Sequence, residues 1–319
     1  MSHIEDVVGA IMEGEVIPFF GAGVNLFDRM EREDYHPGEY LPSGSELSRY
    51  LASKYRYSGP DKTDLSRVSQ YASLMRGPRS LYNSLGEVFD GDYPTTELHR
   101  FFARLPGLLR KKKSKRPYQL ILTTNYDDVL EQAFRTEGEA YDLITYIAKK
   151  PNLGKFWHVP HNGHVRDSIL IDEPNTYRDL PFKGLMPERT VILKIHGMVE
   201  RTSNRELAQA DELHDSFVIT EDDYIDYLAS TDISRLVPYQ LKLKLTNSGF
   251  LFLGYGLRDW NLRVIMHRIW RDQDLHSTSW AIQLKADDLD KKFWEAHNVN
   301  IFESSLETYI KELERELSK

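Results

Sequence analysis

Short apolar runs alternate with amphipathic segments along most of this chain. Six runs have the composition of buried strands, namely "VIPFF", "YQLILTTN", "TVILKIHG", "GFLFLGYG", "SWAIQL" and "NVNIF". Apolar residues at helical spacing separate them, most clearly in "SELSRYLASKY", "DLSRVSQYASLM", "YDDVLEQAFR" and "SLETYIKELEREL". Strands that alternate with helices are typical of a mostly parallel sheet covered on both faces, so we predict an α/β fold of about six strands.

Two features depart from this pattern. Pro18 interrupts the first apolar run, which predicts a place near a sheet edge or a distortion, because proline cannot donate a ladder hydrogen bond. Residues 141–189 are rich in Pro, Gly and His without a clean period, so we expect an irregular insertion there. Residues 43–116 are expected to form a helical and loop subdomain of a single domain that spans 1–319.

Glycines and polar residues follow four of the apolar runs, in "FFGAG", "LTTNYD", "KIHG" and "FLGYG". Ligands of open parallel sheets bind at the carboxyl ends of the strands, so these turns are expected to converge on one crevice. Asn125 either caps the helix that follows it or offers its amide to a ribose hydroxyl or a water. His196 is either structural or a general base near neutral pH.

Gly21 and Gly23 form only part of a dinucleotide-binding fingerprint. The full motif is G-x-G-x-x-G in a short strand-helix-strand unit, whereas Leu26 stands at the third glycine position and the next apolar strand begins only near Tyr118. An ordinary dehydrogenase domain is therefore a poor fit. Taken alone, the Gly-Ala-Gly turn is compatible with a structural turn and with a phosphate contact.

Composition and charge narrow the classes of function. The 319 residues are 40% hydrophobic and 28% charged, as in a soluble globular protein, and the net charge of −8 argues against a surface that binds nucleic acid throughout. The basic run at 110–116, "RKKKSKR", is either a solvated loop or a local patch, so nucleic-acid contact stays open. Neither a signal peptide nor a membrane span is expected, which favours the cytoplasm and no membrane partner.

Metal and thiol chemistry find little support in the sequence. There is no cysteine, which excludes disulfides, thiolate zinc sites and a cysteine nucleophile. His158, His161 and His164 lie three residues apart, but Pro160 breaks any helix there and the spacing matches no usual zinc motif. We therefore predict no metal.

Taken in order, the motifs resemble the sirtuin superfamily, and more closely its bacterial sirtuin-like NAD-cleaving branch, often found in antiphage defence. The matching stretches, from about residue 15 to residue 265, are "FFGAGVN", "LPSGSELSRYLA", "LTTNYDDVLEQAF", "ILKIHG", "ITEDDYIDYL" and "FLGYGLRDWNL". The resemblance implies a Rossmann-like sheet and an NAD glycohydrolase that releases nicotinamide and ADP-ribose from NAD, its substrate. The alternative is a non-catalytic regulatory subunit that binds NAD or ADP-ribose.

The resemblance also implies roles for particular residues. Asn125 and His196 would be catalytic, with Asn125 positioning the ribose and a water and His196 accepting a proton. The backbone amides of the Gly-Ala-Gly turn would face the NAD phosphates. The residues expected to bind NAD are Gly21, Ala22, Gly23, Asn25, Asp127, Gly254, Tyr255 and Gly256.

Two departures from the protein deacylases of this superfamily change the expected activity. Those enzymes carry a four-cysteine zinc module after the catalytic histidine, and this chain has no cysteine. Asn25 stands where a serine is usual. We therefore expect NAD cleavage without deacylation, by a homo-oligomer, with a partner ATPase or another defence subunit as a further hypothesis.

Overall fold

A computed structural model describes residues 3–27, 29, 31–32, 34–201, 214–229, 237–257, 260–271 and 277–319. Its helices are α1 (His3–Met12), α2 (Gly44–Lys54), α3 (Leu65–Arg76), α4 (Pro78–Phe89), α5 (Glu97–Lys111), α6 (Val129–Glu137), α7 (Glu221–Ala229), α8 (Tyr239–Thr246), α9 (Trp260–Arg271), α10 (Asp288–Glu295) and α11 (Leu306–Leu317). Two short 3₁₀ turns cover Ala22–Leu26 and Val165–Asp167.

The strands form one large sheet and two small ribbons. They are β1 (Val16–Phe20), β2 (Leu120–Thr123), β3 (Tyr141–Tyr146), β4 (Phe156–Val159), β5 (Ile169–Ile171), β6 (Phe182–Lys183), β7 (Met186–Pro187), β8 (Thr190–Lys194), β9 (Gly197–Met198), β10 (Ser216–Phe217), β11 (Gly249–Leu253), β12 (Ser279–Gln283) and β13 (Val299–Glu303). Within the described residues, the large sheet has nine strands in the order β13-β12-β11-β1-β2-β8-β3-β4-β5. Its pairings are parallel from β13 to β3, and β4 and β5 are antiparallel.

The prediction of a mostly parallel α/β sheet is confirmed, but the sheet is larger than about six strands. The six predicted runs are β1, β2, β8, β11, β12 and β13, and the additional strands β3, β4 and β5 come from the region expected to be irregular. Their apolar pattern is broken by buried polar residues, among them Asp142, Thr145 and His158. Buried polar side chains can occupy strand positions when they are hydrogen-bonded, and a hydrophobicity pattern does not detect this.

Pro18 does not lie at an edge of the sheet, which excludes one of the two alternatives that the sequence left open. Strand β1 is central, between β11 and β2, and Pro18 pairs with Leu251 of β11. On the other side, β2 pairs only with Phe19 and Phe20. The ladder on that side therefore begins after the proline, so the missing N–H is tolerated in a central strand.

Helices cover both faces of the sheet because successive strand residues point to opposite faces. Ile17 and Phe19 pack with residues of α8, α9 and α10, while Val16 and Phe20 pack with α1, α5 and α11. A third apolar cluster joins α2, α3 and α4 beside the sheet. No helix in the described ranges is both long enough and apolar enough to cross a membrane.

Helix α7 begins with a capping box. The amide of Asp223 donates to Thr220 Oγ1 at 3.1 Å, and the amide of Thr220 donates to Asp223 Oδ2 at 2.9 Å. This cap fixes the start of a helix whose first turn carries Tyr224 toward the site described next.

Candidate active site

A cavity of about 1100 Å³ lies along the carboxyl edge of the parallel strands. The turns after β1, β2, β8, β11 and β12 all contribute to its wall, which is the convergence that the alternation of strands and polar turns predicts. The ten residues predicted for the site all line this one cavity: Gly21, Ala22, Gly23, Asn25, Asn125, Asp127, His196, Gly254, Tyr255 and Gly256.

The Gly-Ala-Gly turn packs tightly against the turn that follows β11. A Cβ atom on Gly21 or Gly23 would lie 2.6 or 2.7 Å from the carbonyl oxygen of Gly254, so only glycine fits at either position. The amide of Gly21 donates to Leu253 O at 3.0 Å, and that of Gly23 donates to Gly254 O at 2.8 Å. These two amides are therefore occupied within the protein, and the glycines shape the cavity wall instead of offering both N–H groups to a phosphate.

Asn125 lies in the turn between β2 and α6 and does not cap the helix. Helix α6 begins only at Val129. The side-chain amide of Asn125 donates to Gly21 O at 3.2 Å, and its backbone amide donates to Thr123 Oγ1 at 3.0 Å. The side chain thus bridges two cavity turns, which leaves the ligand-facing alternative for Asn125 and removes the helix-cap alternative.

Asp127 lies in the same turn, with 5% of its surface exposed. Its Oδ2 accepts a hydrogen bond from Asn25 Nδ2 at 3.1 Å, and its Oδ1 accepts one from the amide of Val129 at 3.1 Å. Burial raises the pKa of Asp127, while the nearby Lys194 ammonium and the Asn25 bond oppose that rise. Asn25, which replaces the usual serine, therefore orients a buried carboxyl group.

His196 follows β8 and is 3% exposed. Its ring packs edge-on against Tyr224 and Tyr227, at centroid distances of 5.5 and 5.8 Å. Burial lowers the pKa of His196 to about 3, so the imidazole is neutral at physiological pH. Its Nε2 has no hydrogen-bond partner among the described residues. The site thus holds a buried, neutral ring nitrogen without a hydrogen-bond partner in the described part of the chain.

Gly197 is required by packing beside this histidine. Its φ is +90°, and a Cβ atom there would lie 2.0 Å from the carbonyl oxygen of Ser216. The neighbouring strand β10 approaches so closely that only glycine fits. The amide of Val218 donates to the His196 carbonyl at 2.8 Å, which fixes the backbone of the catalytic candidate.

The turn after β11 is tied to the end of β12. Gln283 Nε2 donates to the carbonyl oxygen of Tyr255 at 2.7 Å, and the Tyr255 ring packs edge-on against Phe19 at 5.2 Å. Gly254 has a φ of +66°, and Gly256 is exposed. The part of the cavity beside Gly254–Gly256 therefore has a fixed wall on one side.

Several cavity residues were not found from the sequence. They include Arg29, Thr124, Tyr126, Gln283, Leu284, Lys285, Ser304 and Glu307. Gln283 ends an apolar run, so the rule that ligands bind at carboxyl strand ends could have found it. Arg29 had no such signal, because its position depends on two hydrogen bonds to the buried Glu46, both at 2.8 Å.

No group of three or more metal-ligating side chains occurs within the ranges that the structure describes. His158 instead pairs with Asp142 and Tyr177 outside the cavity, and His161 and His164 are exposed. Residues 202–213, which belong to the segment that stands in place of the zinc module, lie outside the described residues.

Comparison with known proteins places this site in a family. A model described as "SIR2-like domain" matches residues 119–302, which is more than half of the chain. The chain is 27% identical over 262 residues to NAD(+) hydrolase ThsA of Enterococcus faecium, covering 82% of this chain and 41% of that protein. It is 24% identical over 279 residues to NAD(+) hydrolase ThsA of Bacillus cereus strain MSX-D12, covering 86% and 44%.

A third relative carries a different printed name. Defense-associated sirtuin 2 of Bacillus subtilis is 22% identical over 297 residues, covering 91% of this chain and 22% of that protein. The chain thus spans less than half the length of each of these relatives. Because the family model matches more than half of it, the chain belongs to the SIR2-like domain family.

Proposed function

We propose that this chain is an NAD glycohydrolase that cleaves the nicotinamide-ribose bond and depletes NAD in antiphage defence. One observation carries the proposal: His196 presents a neutral imidazole with an unpartnered Nε2 in the same cavity as Asn125 and Asp127. The aligned relatives named NAD(+) hydrolase support it, since the alignments cover more than four fifths of this chain.

The size of the cavity fits a dinucleotide. Pockets for small molecules and cofactors range from about 300 to 1,000 Å³, and this cavity of about 1100 Å³ lies at the upper end. The nicotinamide end belongs beside Asn125, Asp127 and His196, and the adenosine end belongs beside the Gly254–Gly256 turn. The rigid Gly-Ala-Gly turn lies between these two ends and forms the wall along the diphosphate.

The reaction breaks the bond between ribose C1′ and the nicotinamide nitrogen, and the electron pair leaves with neutral nicotinamide. Positive charge develops at C1′, as in other glycoside cleavage, and the Asp127 carboxylate is placed to stabilise it. Water then bonds to C1′, and its proton passes to His196 Nε2. Asn125 orients the ribose and the water through its amide. The products are nicotinamide and ADP-ribose.

A neutral histidine suits this substrate better than a charged one. The nicotinamide ring of NAD carries a positive charge, which a buried imidazolium would repel. Since burial keeps His196 unprotonated near pH 7, its ring nitrogen can accept a hydrogen bond from water without opposing substrate binding.

We extend the proposal to the location of the enzyme and to its oligomeric state. We place the enzyme in the cytoplasm, where NAD is available, as a homo-oligomer whose activity is restrained until a defence trigger, with a partner ATPase or another defence subunit as the companion hypothesis. Exposed Lys111, Lys112 and Lys113 remain a candidate patch for nucleic acid. Charge reversal at these lysines, followed by DNA binding at several salt concentrations, tests that contact.

Product analysis of the purified chain tests the proposal. Incubation with NAD, followed by chromatography, is expected to show nicotinamide and ADP-ribose in equal amounts. Asn125→Ala is expected to lower the rate about 100-fold, because a misplaced ribose loses the attack geometry. Asn247→Ala, an exposed asparagine outside the cavity, is the matched control. Stoichiometric retention of intact NAD without products would instead support the binding subunit.

A further inference from the structure

A buried lysine lies beneath the turn that carries Asn125 and Asp127. Lys194 ends β8, two residues before His196, and is 1% exposed. Its Nζ pairs with Glu131 Oε1 at 2.7 Å and donates to the backbone carbonyl of Asp127. Lys194 does not line the cavity, yet it connects the two strand ends that bear the catalytic candidates.

A contribution to the stability of the fold does not readily explain why Lys194 and Glu131 are buried as a pair. Burying an ammonium and a carboxylate costs desolvation energy that their attraction often fails to exceed, and apolar replacements of such pairs are frequently neutral or stabilising. Glu131 is also imperfectly satisfied, because its Oε2 has no hydrogen-bond partner among the described residues. Burial raises the pKa of Glu131, with Lys194 opposing the rise.

We infer that Lys194 is a positioning residue for NAD cleavage, which fixes the Asp127 carbonyl and thereby holds Asn125 and Asp127 in register with His196. The inference rests on the proposed function. Asn125 bonds to Gly21 O, and Asn25 bonds to Asp127 Oδ2, so two other anchors come from the turn after β1. A third comes from the segment after β9, where the amide of Val199 donates to the carbonyl oxygen of Tyr126 at 3.0 Å. Lys194 supplies the anchor from β8. Without it, the Asp127 carbonyl loses its bond to β8.

The charge of Lys194 also acts on the Asp127 carboxyl. The ionisable groups around Asp127 are Lys194 from β8, Asp128 and Glu131 from the start of α6, and Tyr93 from the segment before α5. Burial raises the pKa of Asp127, and the ammonium limits that rise. Removing the ammonium therefore raises the pKa of Asp127 further. At low pH, kcat falls because this carboxylate becomes protonated. Without the ammonium, that fall in kcat occurs at a higher pH.

Two variants distinguish a role of Lys194 in positioning the turn from a role in balancing the charge of Glu131. Lys194→Met leaves Glu131 uncompensated, so we expect a lower Tm together with a fall in kcat on the order of 100-fold. The double variant Lys194→Met/Glu131→Leu removes both charges, so Tm is expected to recover while kcat stays low. KM is expected to change little, and the acid limb of kcat is expected to lie at higher pH in both variants.

Lys244→Met is the matched control. Lys244 is 4% exposed and donates to the backbone carbonyl of Gly14, before β1 and at the opposite edge of the sheet from the cavity. Its loss is expected to lower Tm without changing kcat. If the double variant of Lys194 and Glu131 regained both the parental Tm and the parental kcat, Lys194 would only balance charge and the inference would be wrong.

Hydrogen exchange separates this inference from the proposed function. A parental chain that released no nicotinamide would contradict the function, but exchange in the peptide spanning residues 124–129 needs no turnover. Faster exchange there in the double variant, and not in Lys244→Met, supports positioning of the turn by Lys194. Parental exchange rates in the double variant overturn the inference.

Discussion

Two buried histidines, His158 and His196, have nearly the same exposure and opposite hydrogen-bonding states. His158 in β4 is 2% exposed, its Nε2 lies 2.9 Å from Asp142 Oδ2, and its Nδ1 lies 2.7 Å from the hydroxyl of Tyr177. His196 is 3% exposed, and its Nε2 has no hydrogen-bond partner among the described residues. Burial therefore does not distinguish the two, whereas hydrogen-bond satisfaction does.

The carboxylate of Asp142, which pairs with His158, has further partners of its own. Asp142 Oδ1 lies 2.7 Å from Arg189 Nε and accepts the amide of His161 at 2.9 Å. These contacts join β3 to the segment after β4 and to the segment before β8. A fully paired buried group stabilises the fold, while an unpaired one costs free energy and points to a ligand. The comparison thus supports a structural role for His158 and agrees with the proposed catalytic role of His196.

The largest expected effect is the loss of turnover in His196→Ala. Without the ring nitrogen, no side chain accepts the proton of the attacking water, so nicotinamide release should fall by about 10²- to 10⁴-fold. Initial rates by chromatography, with folding checked by circular dichroism, measure it. His158→Leu, corrected for its folded fraction, should retain the parental rate. Equal losses of the nicotinamide-release rate in both variants would contradict different roles for His158 and His196.

The next largest effect is on stability and belongs to His158. His158→Leu leaves Asp142 Oδ2 and the hydroxyl of Tyr177 without their partner, so the free energy of unfolding should fall by about 3 kcal/mol. Urea unfolding measures the change. Tyr177→Phe removes only the outer bond and should cost about 1 kcal/mol. A smaller loss for His158→Leu than for Tyr177→Phe would contradict a connected network.

The smallest effect is the acid sensitivity that His196 confers. Its pKa is about 3 in the fold against an ordinary value of 6.5, so between these values the unfolded chain binds a proton that the native chain does not. Stability therefore falls as the pH drops below about 6.5, by about 2 kcal/mol at pH 5 from this residue. In His196→Asn, the difference in unfolding free energy between pH 7 and pH 5 should shrink by that amount.

An exposed histidine provides the control for the acid measurement. His36→Asn removes an exposed imidazole and serves as the matched variant. His99 is also buried, and burial lowers its pKa to about 3, so it keeps its own acid sensitivity in every variant. If His196→Asn and His36→Asn gave the same pH dependence, the imidazole of His196 would not be desolvated as the structure shows.

The strands that could be predicted from the sequence are those with a continuous apolar pattern. The central strands β1, β2, β8 and β11 are buried along their full length, and continuous apolar runs marked them in the sequence. Strand β3 was missed because Asp142 and Thr145 are buried in it, and the burial of Asp142 depends on partners up to 47 positions away, such as Arg189. Local pattern contains no information about such partners.

The candidate site, like the fold, could be predicted only in part from the sequence. Motif order identified the residues that line the cavity, and their positions after strands predicted that they would meet. The order of residues did not show that the amides of Gly21 and Gly23 are already bonded, nor that Lys194 supports Asp127 from below. Those contacts join segments more than 60 positions apart, so they exist only in the folded chain.

The order of residues is enough to predict the alternation of strands and helices, the glycines at close turns and the residue types available for chemistry. Which of those residues have hydrogen-bond partners and which do not is visible only in the folded chain. The pKa of a buried group and its hydrogen bonding depend on the atoms around it, and folding brings those atoms together. The difference between His158 and His196 is the clearest instance, since nothing in the immediate sequence of either residue specifies its partners.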